Sequence, residues 1–193
     1  KVHEGQSVLL QVRSIGAKDK VHLFTNNIIL TGKFINVLPY GDEIILSRRT
    51  RKNLDSNEQD KIMDALSESE VGLIVRHNLN LETVETAKLE LKTLHENWNE
   101  IELNAKEIET EGLVFQNSYF DQNFVCDYSD KNTDQIVFSD NKRFNDVKSW
   151  DESLDGSFAS LCKELSSAQV DEEFNITEKI DYLIESKYSL PSG

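Results

Sequence analysis

The chain is poor in residues that break or staple a backbone: two cysteines, two prolines and eight glycines among 193 positions. So few prolines and glycines exclude long flexible linkers and low-complexity tracts. Cys126 and Cys162 stand far apart with no C-x-x-C spacing, so two reduced thiols are expected rather than a structural disulfide. No apolar run approaches the roughly 18 residues of a membrane span, and the N-terminus carries no signal-peptide pattern. A soluble chain of a reducing compartment is expected, with a cytoplasmic location. The first residue is Lys1 rather than Met, which suggests a processed or cut boundary.

Self-contained active-site motifs are missing too. The four histidines, His3, His22, His77 and His95, form no H-x-x-x-H or H-E-x-x-H pair, so a zinc site has little support. There is no G-x-S-x-G elbow, Walker loop or G-x-G-x-x-G. The 35 acidic residues guarantee many carboxylate pairs, and nothing singles one out for acid–base or two-metal work. Cys162 has no evident helper base.

What is present is an uneven charge. The length suits one large domain or two to three small ones, and 38% hydrophobic with 29% charged residues is an ordinary globular balance. The net charge is −14, which by itself opposes nucleic-acid binding. Residues 1–52, however, hold nine Lys/Arg against four Asp/Glu, a net of +5, leaving −19 on the other 141. Such asymmetry fits one end that meets a polyanion and another that meets water or a protein partner.

Hydrophobic periodicity gives the elements. Residues 7–13, 21–25, 27–32, 33–38 and 43–47 are short runs rich in β-branched and aromatic residues, separated by polar breaks. Short strands with basic loops suit a small sheet or part of an oligonucleotide-binding barrel. Ser56 and Gln59 fit a capping box that opens a helix to about position 67, and residues 71–76 (VGLIVR) form a compact strand. Val84, Ala87, Leu91, Leu94, Trp98, Ile101, Ala105 and Ile108 then follow a 3-4-3-4 rhythm, one apolar stripe of a long helix. Packing within its own domain is expected of this stripe, with a coiled-coil seam as the alternative. Strands are expected over 112–116, 122–128 and 134–139, and helices over 141–154, 157–167 and 176–187. The class is α+β.

The functional candidates are anion-binding residues. Lys18 and Lys20, between two strands, can act as mobile phosphate contacts. Arg48, Arg49, Arg51 and Lys52 form a second basic cluster. Arg76 is isolated at the end of an apolar strand and can fork onto a terminal phosphate, with His77 beside it as a further donor.

The ordered set GKFINVLP (32–39), LSRR (46–49), VGLIVR (71–76), LHENWNEI (94–101) and ESKYSLPSG (185–193) resembles the N-terminal region of the bacterial ribonuclease E/G endoribonucleases. The likeness is nearly gapless from Gly32 to Ile101 and weaker elsewhere. It implies enzymes that cut single-stranded, AU-rich RNA in RNA decay and in ribosomal and transfer RNA processing, with Mg²⁺ at a pair of aspartates. It also implies three parts: 1–31 as the last strands of an oligonucleotide-binding (OB-fold) barrel, 32–110 as a sheet-and-helix 5′-end sensor, and 111–193 as a portion of a ribonuclease-H-like subdomain. Lys20 then matches an RNA-contacting position of the barrel, and Arg48 falls in the basic RNA-binding cluster. Gly32 and Asn36 match positions whose backbone lines the phosphate pocket, and Arg76 matches the arginine that grips the 5′-phosphate.

Some positions depart from the family pattern. The family's threonine after that arginine is His77 here. A small, glycine-containing loop is replaced by Asn78-Leu79-Asn80-Leu81, which counts against close approach of backbone amides to a phosphate. The family's catalytic aspartates would follow the LPSG segment and the first barrel strands would precede Lys1. The expectation is therefore a piece of a longer chain, with a shortened relative as the alternative, inactive by itself and holding no metal, with homo-oligomerisation of the longer protein left open. The competing expectation is a non-catalytic module whose acidic half and 84–108 stripe bind a protein partner.

Overall fold

The computed structural model describes residues 3–16, 20–108, 110–116, 120–129 and 132–184. Lys18, the LPSG segment and the end of the helix expected to reach position 187 lie outside the described residues. The chain divides into two compact units, Lys1–Asp127 and Tyr128–Gly193, and it is a mixed α+β protein as expected.

The first unit opens with a hairpin of β1 (Gln11–Ser14) and β2 (Leu23–Thr25). Much of its apolar surface is exposed, including Val12, Leu23 and Phe24. Gln11 ties it to the following chain, its side chain exchanging two 3.0 Å hydrogen bonds with the backbone of Ile29. Next come β3 (Leu30–Thr31), β4 (Ile35–Leu38) and β5 (Ile44–Leu46). Two helices, α1 (Arg48–Asn53) and α2 (Ser56–Leu66), lead to β6 (Gly72–Val75). The sheet order is β3-β4-β6-β5, with β4 antiparallel to both neighbours and β5 parallel to β6. This register sets the start of β4, the end of β5 and the end of β6 at one edge, because Ile35 and Leu46 both pair with Val75.

The α2 cap lies one residue earlier than the sequence suggests. Asp55 accepts from the Glu58 amide at 2.8 Å and Glu58 accepts from the Asp55 amide at 3.0 Å, a reciprocal pair that neutralises two helix-end donors. Gln59 bonds back to the Leu54 carbonyl instead.

The long stripe becomes α3 (Val84–Glu107). Val84, Ala87, Leu94, Trp98 and Ile101 are buried where α3 lies against β4 and α2. Full burial of each large side chain contributes roughly 1.5–3 kcal/mol, and that burial is spent inside the unit. Most of the stripe is core, with Leu91 and Ala105 half-buried and Ile108 exposed at its end. Leu89 and Leu103, off the stripe, are exposed.

Downstream the sequence reading fails in places. Residues 112–116 form no strand. Residues 122–128 are not a strand but the body of α4 (Phe120–Tyr128), with Phe120, Phe124 and Tyr128 at helical spacing. In the second unit β7 (Ile136–Phe138) leads through α5 (Asn141–Glu152) to a parallel partner, β8 (Cys162–Glu164). The helix expected over 157–167 is a short 3-10 turn, Ala159–Leu161, running into β8. Asp151, fully buried, takes the Phe158 and Ala159 amides at 2.8 and 2.7 Å, which fixes that turn and leaves no continuous helix. Two helices close the description: α6 (Ser167–Phe174), not anticipated, and α7 (Ile176–Ile184). Both cysteines are free. Among the described residues no helix is long and apolar enough to cross a membrane.

Candidate functional site

The edge where β4 begins and β6 ends brings together four charged residues of the first unit, Lys33, Arg76, Glu90 and Asp127. The β3–β4 hairpin turns tightly: the Gly32 amide bonds to the Ile35 carbonyl at 2.9 Å, leaving Lys33 and Phe34 at the tip. Their inward amides need an acceptor, and Glu90 of α3 provides it. Its Oε1 accepts from the Lys33 amide at 2.6 Å, and its Oε2 accepts from Phe34 at 2.9 Å and Ile35 at 3.3 Å. Glu90 is only 6% exposed. Burial pushes its carboxyl above the ordinary range, and the three amides together with Arg76 pull the other way. Gly32 is required by this contact, not by an unusual backbone angle: a Cβ there would stand 2.5 Å from the Glu90 carboxyl carbon.

Arg76 follows β6 and is anchored by its amide to the Phe34 carbonyl at 2.8 Å. Its guanidinium is nearly buried. One arm, Nη1, donates to Asn36 Oδ1 at 3.3 Å, and the other, Nη2, to Asp127 Oδ1 at 2.6 Å. The two partners differ in exposure, with the Arg76 side chain at 7% and that of Asp127 at 62%. Lys33 is also buried, its ammonium 5.5 Å from the centre of the Phe34 ring. Two buried cations thus sit among two carboxylates, the kind of pairing that buried charge demands.

Neighbouring elements clamp this arrangement. Ser47, the cap of α1, bonds to the Val75 carbonyl through its amide at 2.9 Å, and the buried Thr50 hydroxyl bonds to the same carbonyl at 2.9 Å. Arg49 donates to the Asp127 carbonyl at 2.8 Å. Asn78 donates to the carbonyls of Lys33 and Cys126 at 3.3 and 3.4 Å. Cys126 lies within the same field: burial pushes its thiol up to about 12, with Arg76 opposing and Glu90 adding to the shift.

The loop of Asn78, Leu79, Asn80 and Leu81 is self-bonded. Leu79 is buried, and its amide bonds to the Arg76 carbonyl at 3.2 Å. Asn80 folds its side chain onto the Glu82 and Thr83 amides at 2.9 and 3.0 Å. These side chains, and not glycine backbone, shape the connection into α3.

Of the residues singled out in the sequence, Gly32, Asn36 and Arg76 converge at this edge, and His77 continues from Arg76, half-buried. Arg48 is exposed at the first position of α1, one residue beyond Ser47. Lys20 is exposed on the β1–β2 connection, which belongs to a different sheet. The sequence reading missed Glu90, Asp127 and Asn78. Glu90 had a signal, since it lies three residues from Ala87 and four from Leu94 on the buried face. Asp127 had none, because it pairs across 51 positions.

Chemically, the edge offers a forked cation, an amide side chain and an exposed carboxylate paired with the cation, and a forked cation is a group that can hold an anion. Among the described residues no three His, Cys, Asp or Glu side chains gather as a group that could hold a metal ion.

Comparison with known proteins agrees with the residue pattern. The chain is 24% identical over 192 residues to a ribonuclease E of Nostoc sp., covering 97% of this chain and 28% of that protein. It is 24% identical over 136 residues to a ribonuclease E/G-like protein of Pyropia yezoensis, covering 70% and 27%. A ribonuclease E/G-like protein of Porphyra purpurea is 23% identical over 192 residues, covering 97% and 38%. The chain therefore spans well under half the length of each of these relatives. The profile of the Ribonuclease E/G family matches residues 29–193, and the chain belongs to that family.

Proposed function

We propose that this chain is the RNA-binding, 5′-end-recognising part of a single-strand-specific endoribonuclease of RNA processing and decay. In this reading 1–31 contribute barrel strands, 32–110 the end sensor and 111–193 a ribonuclease-H-like portion. Cleavage, with Mg²⁺, belongs to residues outside the chain, so the chain by itself does not cut. Its place of work is the bacterial cytoplasm.

The observation that carries the reading is the Arg76 guanidinium: nearly buried, braced by Asn36, and paired on its outer arm with an exposed carboxylate. A terminal phosphate brings about −1.5 to −2 of charge and three acceptor oxygens, and suits that arm. Arg48 at the start of α1 and Lys20 on the hairpin would contact the sugar–phosphate backbone, where exposed cations add affinity without sequence preference. His77 would add a donor beside Arg76. Holding one end of the substrate raises its local concentration at a distant cutting centre.

The test is fluorescence anisotropy of a 5′-monophosphate oligoribonucleotide against its 5′-hydroxyl twin at low salt. The phosphorylated strand is expected to bind more tightly, and Arg76→Ala to erase the difference while leaving weak, salt-sensitive binding of both. Arg76→Lys keeps the charge but loses the fork, and should retain only part of the preference. Equal binding of the two strands by the unaltered protein would remove the end-sensing role.

A further inference from the structure

We infer that Asp127 is the residue that sets the affinity of this site for a phosphate end, acting as an internal competitor for the outer arm of Arg76. The inference rests on the reading of Arg76 as a terminal-phosphate grip.

Two carboxylates lie near Arg76, and only one is exchangeable. Glu90 is buried and committed to three backbone amides, so releasing it would strand donors at a cost a ligand does not repay. Asp127 contacts Nη2 through Oδ1, and its side chain is mostly in water. Its carboxylate can swing out and be hydrated at little cost, since ion pairs of this exposure contribute of order 0–1 kcal/mol and order a side chain.

The backbone beneath it is held. Arg49 bonds to the Asp127 carbonyl and Asn78 to the Cys126 carbonyl, while Val125 and Cys126 are buried. Exchange therefore needs a side-chain rotation and no movement of α4. With Asp127 in place, the outer arm is satisfied and stays ordered; a phosphate must first displace a carboxylate, so the intrinsic affinity is reduced by the stability of that pair. A 5′-hydroxyl end brings no anion to the arm and leaves the pair intact.

The experiment compares the unaltered protein, Asp127→Asn and Asp127→Asn/Arg76→Ala, each titrated with a short 5′-phosphorylated oligoribonucleotide and its 5′-hydroxyl twin. Asp121→Asn, which removes the same charge from the other end of α4, controls for net charge. Asp127→Asn is expected to tighten binding of the phosphorylated strand by roughly three- to fivefold while the hydroxyl strand changes by less than about twofold. Asp121→Asn should change both strands alike, and the double variant should show no preference.

If the unaltered protein prefers the phosphorylated strand but Asp127→Asn leaves that preference unchanged or lowers it, Asp127 merely positions Arg76; the competitor role is overturned and end sensing stands. If neither protein prefers the phosphorylated strand, end sensing is overturned and the competitor role falls with it. Should Asp127→Asn lose its fold, the Arg76 Nε–Hε resonance of the unaltered protein gives a second readout. It must shift when the phosphorylated strand is added and stay fixed with the hydroxyl twin; no shift with the phosphorylated strand overturns the inference.

Discussion

Each unit of the molecule holds a buried carboxylate that collects backbone amides from a turn, across 55 to 57 positions in the first unit and across seven and eight in the second. In the first, Glu90 takes the amides of Lys33, Phe34 and Ile35. In the second, Asp151 takes those of Phe158 and Ala159. The fastening chemistry is the same: orphan donors inside a protein need an acceptor, and an ionised carboxylate is the strongest available. The surroundings differ. Glu90 sits beside Arg76 and Lys33, and the outer arm of Arg76 rests on an exposed partner, Asp127. Asp151 pins the turn that feeds β8. A buried acid on an amide turn is thus a fastener in both units; what sets the first apart is the nearly buried Arg76 beside it, paired with an exposed carboxylate.

The largest effect should come from cutting each fastener. Glu90→Ala leaves three buried amides without an acceptor and is expected to cost roughly 3–5 kcal/mol. Asp151→Ala strands two and should cost roughly 2–4 kcal/mol. Hydrogen exchange read by mass spectrometry should place the loss at 33–38 for the first variant and at 158–164 for the second. Uniform loosening across the whole chain in both variants would break the comparison, because the fasteners would then not be local to their units.

Gly32→Ala probes the same contact from the other side. The new methyl would stand 2.5–2.7 Å from the Glu90 carboxylate, so that carboxylate must move and weaken its amide bonds. A loss of roughly 1–3 kcal/mol is expected in thermal melts. In Glu90→Ala the clash is gone, so Gly32→Ala added there should cost little, a coupling that a double-mutant cycle measures.

A smaller effect is the pH dependence of Glu90. Burial raises its carboxyl above the ordinary 4.5. As pH climbs from 4.5 toward the raised value, the unfolded chain releases this proton before the folded one does. The folded state then holds more protons, and the contribution of Glu90 to stability falls with rising pH across that window. Glu90→Gln cannot titrate and presents one donor where an acceptor is needed, so it should be less stable by about 1–2 kcal/mol. Its deficit should be largest near pH 4.5 and shrink toward neutrality. A deficit that grows with pH would mean that the amides and Arg76 dominate over burial.

How far the sequence reveals this arrangement depends on the range of the interaction. α3 was legible because a long 3.6-residue rhythm is a local signal, and β4 and β6 because short β-branched runs are. Arg76 stood out as a lone cation closing such a run. α4 was misread because Phe124, Val125 and Tyr128 favour strands by type, although Phe120, Phe124 and Tyr128 keep helical spacing. The 157–167 stretch was misread because Asp151 captures the Phe158 and Ala159 amides, a side-chain bond across seven and eight positions that overrides helix propensity. Gly32 was singled out, but the reason for it, the carboxylate against its face, was not visible. Asp127 is the hardest case: nothing local marks it, and its significance exists only in the pairing with Arg76.

The two cysteines sharpen the comparison at the smallest scale. Cys126 is buried with its thiol pushed up to about 12, while Cys162 is half-buried, bonded to the Phe158 carbonyl at 3.3 Å and raised by burial and by Asp151. Only thiolate attacks an alkylating reagent, so at neutral pH Cys126 should label only when the first unit opens, and Cys162 faster but still below a free thiol. Glu90→Ala should then speed labelling of Cys126 and leave Cys162 unchanged. Asp151→Ala should do the reverse, for two reasons that act together: it loosens the Phe158–Ala159 turn and removes a negative charge that disfavours the Cys162 thiolate. Asp151→Asn separates them, since it removes the charge while keeping an acceptor oxygen for part of the turn. If Asp151→Asn accelerates Cys162 nearly as much as Asp151→Ala, charge governs that thiol; if it accelerates it far less, opening of the turn does.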